Sequence, residues 1–160
     1  MSDKILEEHL FLNIEAYSVN KMYGKQLYTT AAYKNWIDRA LSQLSKEANQ
    51  ISIFSLRESF KPEHHFFSIE YEFGTPNFWN SGGIISKKSM DCTNMEKSIQ
   101  DILFDPKYNE RGVCNLNADD RFVASIRSSK LPSSYYYIAI KVIILPKSLL
   151  TPNPSYIKQP

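Results

Sequence analysis

The sequence predicts a small α+β protein in which a mixed β-sheet carries two main helices on it. Three observations lead there. The 160 residues are enough for one compact core and too few for two independent ones. Strand-like and helix-like segments are interspersed, in the order strand, helix, strand, helix, strand, strand, which suits a mixed sheet with helices packed on it. An apolar fraction of 42% and an aromatic fraction of 13% fill a core, and a charged fraction of 22% is too ordinary for wholesale disorder.

Taken in order, His9–Ala16 alternates around Leu10, Leu12 and Ile14, the period of a first strand. A polar connection with a basic tip follows over Tyr17–Gln26. Thr30 then offers a helix N-cap, and Tyr33, Trp36, Ile37, Ala40, Leu41 and Leu44 form one helical stripe, predicting a helix over 30–48. His65–Phe73 alternates again, with Phe67, Ile69, Tyr71 and Phe73 on one face and Ser68, Glu70 and Glu72 on the other. Thr75–Gly83 is rich in turn residues. A second helix is expected over Thr93–Phe104. Arg121–Arg127 and Tyr135–Leu145 read as two strands, expected to form an antiparallel pair around Leu131–Ser134. The domain is placed at 1–145, and the Pro-rich segment 146–160 is expected to be a tail or arm.

Composition excludes several classes. The net charge of +2 argues by itself for no partner. Lys21, Lys25, Lys34, Lys87, Lys88, Lys97, Arg121, Arg127 and Lys130 flank an acidic cluster; a surface that follows phosphates could be built from them, with a solvated surface as the default for most of them individually. Cys92 and Cys114 make no disulfide framework, and with His64 and His65 they lack the spacing of a structural zinc site. No apolar run approaches the roughly 20 residues that span a bilayer, so no membrane partner is expected. The acidic start at Asp3 is unlike a signal peptide, and a cytoplasmic location is expected.

The chemistry concentrates in Asp91–Asp101. Asn94, Lys97 and Asp101, at i, i+3 and i+7, share one helical face, opposite Met95, Ile99, Ile102 and Leu103. Asp91 precedes the first turn, and Asp119-Asp120 stands directly ahead of a strand. Two separated carboxylates can hold Mg²⁺ together with a substrate phosphate. The ion then activates a water, and a nearby lysine stabilises charge on the phosphate. The same residues also admit a structural reading. In it Asp91 caps the helix, Lys97 and Asp101 form an i, i+4 ion pair, and Asp119-Asp120 makes a turn.

This ordered set resembles RusA-type Holliday junction resolvases. That family carries an Asp-x-Asp-Asn-x-x-Lys segment opening a helix, a further Asp one turn on, and an Asp-Asp pair heading a strand. The matching positions are Asp91, Asn94, Lys97, Asp101 and Asp119-Asp120, the last followed by the apolar Phe122-Val123. Tyr17-Ser18-Val19-Asn20-Lys21 resembles the family's Pro-Ser-x-Asn turn, and a Tyr/Trp-bearing helix follows it here too. The resemblance spans most of residues 10 to 145.

What the resemblance implies is a RusA-like homodimer that resolves four-way DNA junctions by Mg²⁺-dependent phosphodiester hydrolysis, with Mn²⁺ as a substitute. Asp91 and Asp120 would hold the metal beside Asp119, with Lys97 as catalytic lysine. Asn94, Lys97, Lys21, Lys25, Lys87, Lys88 and Arg121 would contact DNA, and Thr93, Asp101 and Asn20 would support the site. Thr93 stands where the family has its second acid, so metal affinity should fall unless Glu70, Glu72 or Glu96 compensates. A chain that binds branched DNA without cutting it, or a scaffold reused for a protein partner, therefore stays open. The strand Tyr135–Leu145 and the tail are the expected dimer contacts, and a phage gene product acting in a bacterial cytoplasm would fit the family.

Overall fold

The computed structural model describes residues 4–18, 20, 30–86, 91–109, 113, 116 and 118–152. Lys21, Lys25, Lys87, Lys88, Cys114 and the tail from 153 lie outside the described residues. The fold is a mixed α+β domain, as the interspersed pattern predicts.

The first strand, β1, is Leu6–Leu12, shifted toward the N-terminus from the expected 9–16. Ile14 and Ala16 are buried all the same, because the chain runs on over the core after pairing ends. Helix α1, Ala31–Leu44, starts where Thr30 Oγ1 accepts the Tyr33 N–H at 3.2 Å and buries the whole predicted stripe. It stops four residues short of the expected end, as the Ser45 hydroxyl donates to the Leu41 carbonyl at 2.8 Å.

A second helix, α2 (Glu47–Ser59), follows at once, where none was expected. Its buried face mixes Ile53 and Leu56 with Asn49 and Ser52, while Ile51 and Phe54 are exposed. Polar residues inside and apolar residues outside erase the 3.6-residue period that periodicity relies on. Strand β2, His65–Thr75, helix α3, Cys92–Phe104, and the short helix α4, Pro106–Asn109, come next. Three helices of thirteen or more residues thus replace the two expected.

Strands β3, Val123–Pro132, and β4, Tyr137–Pro146, complete a sheet of order β1-β4-β2-β3. β4 pairs antiparallel with both β1 and β2, and β2 pairs parallel with β3. The expected β3–β4 hairpin is therefore corrected: β2 lies between the two strands. The cause is α3, a crossover that returns the chain to lay β3 parallel beside β2. Residues 133–136 then pass the end of β2, where Ser133 N–H reaches the Thr75 carbonyl at 3.1 Å. β4 is apolar enough for the centre, with Ile138, Ile140, Val142 and Ile144 at most 1% exposed. Beyond Pro146 the chain is still held, as the Lys147 N–H donates to the His64 carbonyl at 2.8 Å.

The helices cover one sheet face. There Leu10 and Leu12, Phe67 through Phe73 at alternate positions, and the β4 isoleucines join Trp36, Leu41, Leu56, Ile99 and Leu103 in one core. The other face is open. One row across all four strands is His9, Lys141, Glu70 and Arg127, with Lys141 Nζ 2.6 Å from Glu70 Oε2. Above it Tyr137 stacks on Phe11 at 5.6 Å and donates to Glu72 at 2.6 Å, a bond that pushes the phenol up to about 12. The ring lies over Gly74, where a Cβ would stand 2.0 Å from Tyr137 Cε1. Among the described residues no helix is long and apolar enough to cross a membrane.

Candidate functional site

Helix α3 carries most of the candidate residues. Asp91 is its N-cap by backbone geometry, but the exposed carboxylate makes no capping bond. Met95, Ser98, Ile99, Ile102, Leu103 and Phe104 turn into the core. The buried Ser98 hydroxyl sits 2.8 Å from the Tyr17 carbonyl, tying the helix to the segment that leaves β1. Tyr17 packs on Tyr33 and Trp36, and Asn20 N–H approaches Ser18 Oγ at 3.4 Å. On the outer side Lys97 Nζ stands 2.5 Å from Asp101 Oδ1. Thr93 is exposed and Asn94 partly so.

Asp119 and Asp120 lie against the C-terminal half of α3. Asp119 opens a 3-10 turn over Asp120–Phe122, accepting the Arg121 N–H at 3.1 Å and pairing with Arg121 Nε at 3.1 Å. Asp120 is exposed and makes no ion pair among the described residues. Lys97, Gln100, Asp101, Asp105, Asp119 and Asp120 line an open pocket of about 330 Å³. Gln100 and Asp105 were not expected there. Asp105 was legible only as an Asp-Pro helix stop; its carboxylate accepts the Lys107 N–H at 3.0 Å.

The structure thus brings Lys97, Asp101, Asp119 and Asp120 together and leaves Asp91 out. Ten residues of α3 part Asp91 from Asp101, a rise of about 15 Å. Two carboxylates so placed cannot both bind one Mg²⁺, whose ligands sit about 2.1 Å from the ion. Among the described residues no group of three or more His, Cys, Asp or Glu is arranged to hold a metal. The three candidate replacement acids are engaged elsewhere. Glu70 and Glu72 point to the open sheet face, away from α3, toward Lys141 and Tyr137. Glu96 takes the Ser128 hydroxyl on β3. The Mg²⁺ that the resemblance implies therefore does not fit the expected pair within one chain.

Beneath α3 lies an unusual group, the Tyr71 hydroxyl. It is buried and has no hydrogen-bond partner among the described residues, while burial and the nearby Glu96 and Asp101 carboxylates hold its pKa far above the ordinary range. Tyr71→Phe removes that unsatisfied group, and is expected to leave the unfolding free energy unchanged or raise it by about 1 kcal/mol. Urea denaturation checks this, and a loss of similar size would reveal a water bridging the phenol to the carboxylates. Burial also pushes the Cys92 thiol up, against the partial opposing pull of Lys130.

No protein-family model matches the chain, and no curated protein matches it.

Proposed function

We propose that the chain acts as a RusA-like homodimer that binds branched DNA, and that it does not hydrolyse that DNA through Asp91 and Asp120 of one chain. Support for DNA is the ordered motif set, whose polar members Asn94, Lys97 and Asp101 lie opposite the buried side of α3. The observation that favours binding over cutting is the length of α3 between the two acids of the expected metal pair. Thr93 adds to it by supplying no charge at the helix start. Lys97 is then a phosphate contact held by Asp101.

A labelled four-way junction, titrated between about 50 and 200 mM salt, tests this. Binding should favour the junction over linear duplex and weaken steeply with salt. Replacing Lys87 and Lys88 together by alanine should lower the salt slope by about two units if each touches a phosphate. Equal affinity for junction and duplex would remove the preference for branched DNA, and no affinity for either would leave the protein-partner reading. Incubation with Mg²⁺ or Mn²⁺ is expected to leave the junction intact, in wild type and in Thr93→Asp. Cleavage that disappears in both Asp91→Asn and Asp120→Asn would restore the nuclease.

A further inference from the structure

The two edges of the sheet are finished differently. At β1 the side chain of Asn49 stands where a neighbouring strand would: its Oδ1 accepts Phe11 N–H at 2.9 Å and its Nδ2 donates to the Phe11 carbonyl at 2.8 Å. Gln43 Oε1 closes the next step by accepting Asn13 N–H at 3.1 Å. At β3 nothing comparable occurs among the described residues. Its backbone pairs with β2 on one side, and among the described residues no side chain bonds to its outer edge. Ten residues long, β3 exposes Ser125, Ile126, Arg127, Ser129 and Leu131.

Charge selects what can join that edge. From Arg121 to Pro160 the chain has six basic residues and no Asp or Glu. Arg127 makes no ion pair among the described residues, since its neighbour Glu70 is taken by Lys141. A second copy of β3 carries no acid to set against Arg127. The Arg127 guanidinium, exposed on the open face, attracts an acidic strand instead.

We propose that β3 is a docking edge for an extended acidic peptide segment of a partner protein, which adds as a fifth strand. Backbone hydrogen bonds along β3 hold the segment, acidic side chains on the open face meet Arg127, and the exposed Ile126 on the opposite face meets the alternate apolar positions. This surface is separate from the pocket at α3 and does not depend on the DNA reading.

The probe is an acetylated, amidated decapeptide alternating Glu and Val, with a Lys–Val decapeptide as control. Its binding to the full chain is followed by fluorescence polarisation and by amide hydrogen exchange. The Glu peptide should bind at least about tenfold more tightly than the Lys peptide, weaken with salt, and slow exchange along Ala124–Leu131. Arg127→Glu should lose about tenfold or more in affinity, and Arg127→Ala less, while Arg127→Lys retains most of it. If Arg127→Glu does not fold, Arg127→Ala carries the comparison. Equal binding of both peptides, or binding that leaves β3 exchange unchanged, overturns the proposal. So does protection of the same amides by junction DNA or by raising the protein concentration alone, which would give the edge to phosphates or to a second copy.

Discussion

Asn49→Ala is expected to lower the unfolding free energy by about 3 kcal/mol, at about 1 kcal/mol for each hydrogen bond lost. Asn49 is 4% exposed and spends its amide on three backbone groups: Phe11 N–H, the Phe11 carbonyl and, at 2.9 Å, the Gln43 carbonyl. It therefore joins the end of α1, the start of α2 and the edge of β1 through one side chain. Alanine leaves all three groups to find water or stay unpaired. For a chain of this size the melting temperature should fall by about 6–12 °C. Asn49→Asp makes the test specific. It keeps the acceptor for Phe11 N–H but turns a carboxylate toward two carbonyls, so it should be at least as damaging as alanine. A melting temperature unchanged in both variants would mean that the amide merely fills space.

Phe67→Ala is expected to cost about 3–5 kcal/mol, the range for truncating a fully buried aromatic side chain. Phe67 is 0% exposed, stacks on Phe60 at 4.2 Å and approaches Phe104 at 5.6 Å. Phe60 in turn meets Phe122 edge-on at 5.5 Å. One ring on β2 thus supports the ends of α2 and α3 and, through Phe60, the turn that holds Asp119 and Asp120. Denaturant titration should show a lower midpoint with the slope unchanged. If the protein keeps its fold, the proposed junction binding should weaken as well, because the wall of the Lys97 pocket loses its backing. A variant as stable as wild type would show that Phe60 and Phe104 can close over the gap.

The parts of this fold that were legible in the sequence are those where one face is apolar and the other polar. α1 and α3 have clean stripes, and both were placed to within a few residues. β2 alternates over its length and was placed likewise. α2 was not, because its inward positions include Asn49 and Ser52, whose burial depends on partners on β1 that are distant in sequence. Strand pairing failed for a related reason. Two strands with four residues between them look like a hairpin, and nothing local says that β2 will take the place between them. At the candidate site, spacing along α3 correctly grouped Lys97 with Asp101. It could not say that the Asp119–Asp120 turn lands at the far end of that helix from Asp91. That depends on the direction in which β3 enters the sheet.

The amide of Asn49 also sets a limit on growth. A sheet that can be extended at both margins can polymerise, each molecule templating the next without end. Here the end of one margin, at Phe11 and Asn13, already has its partners from within the same chain, which hinders a further strand from pairing along it. Complexes formed at β3 would have fixed stoichiometry, one added strand per molecule. Asn49→Ala would then do more than loosen the domain. It would make the molecule two-sided, and fibrillar material on storage would be expected in that variant before it appears in wild type.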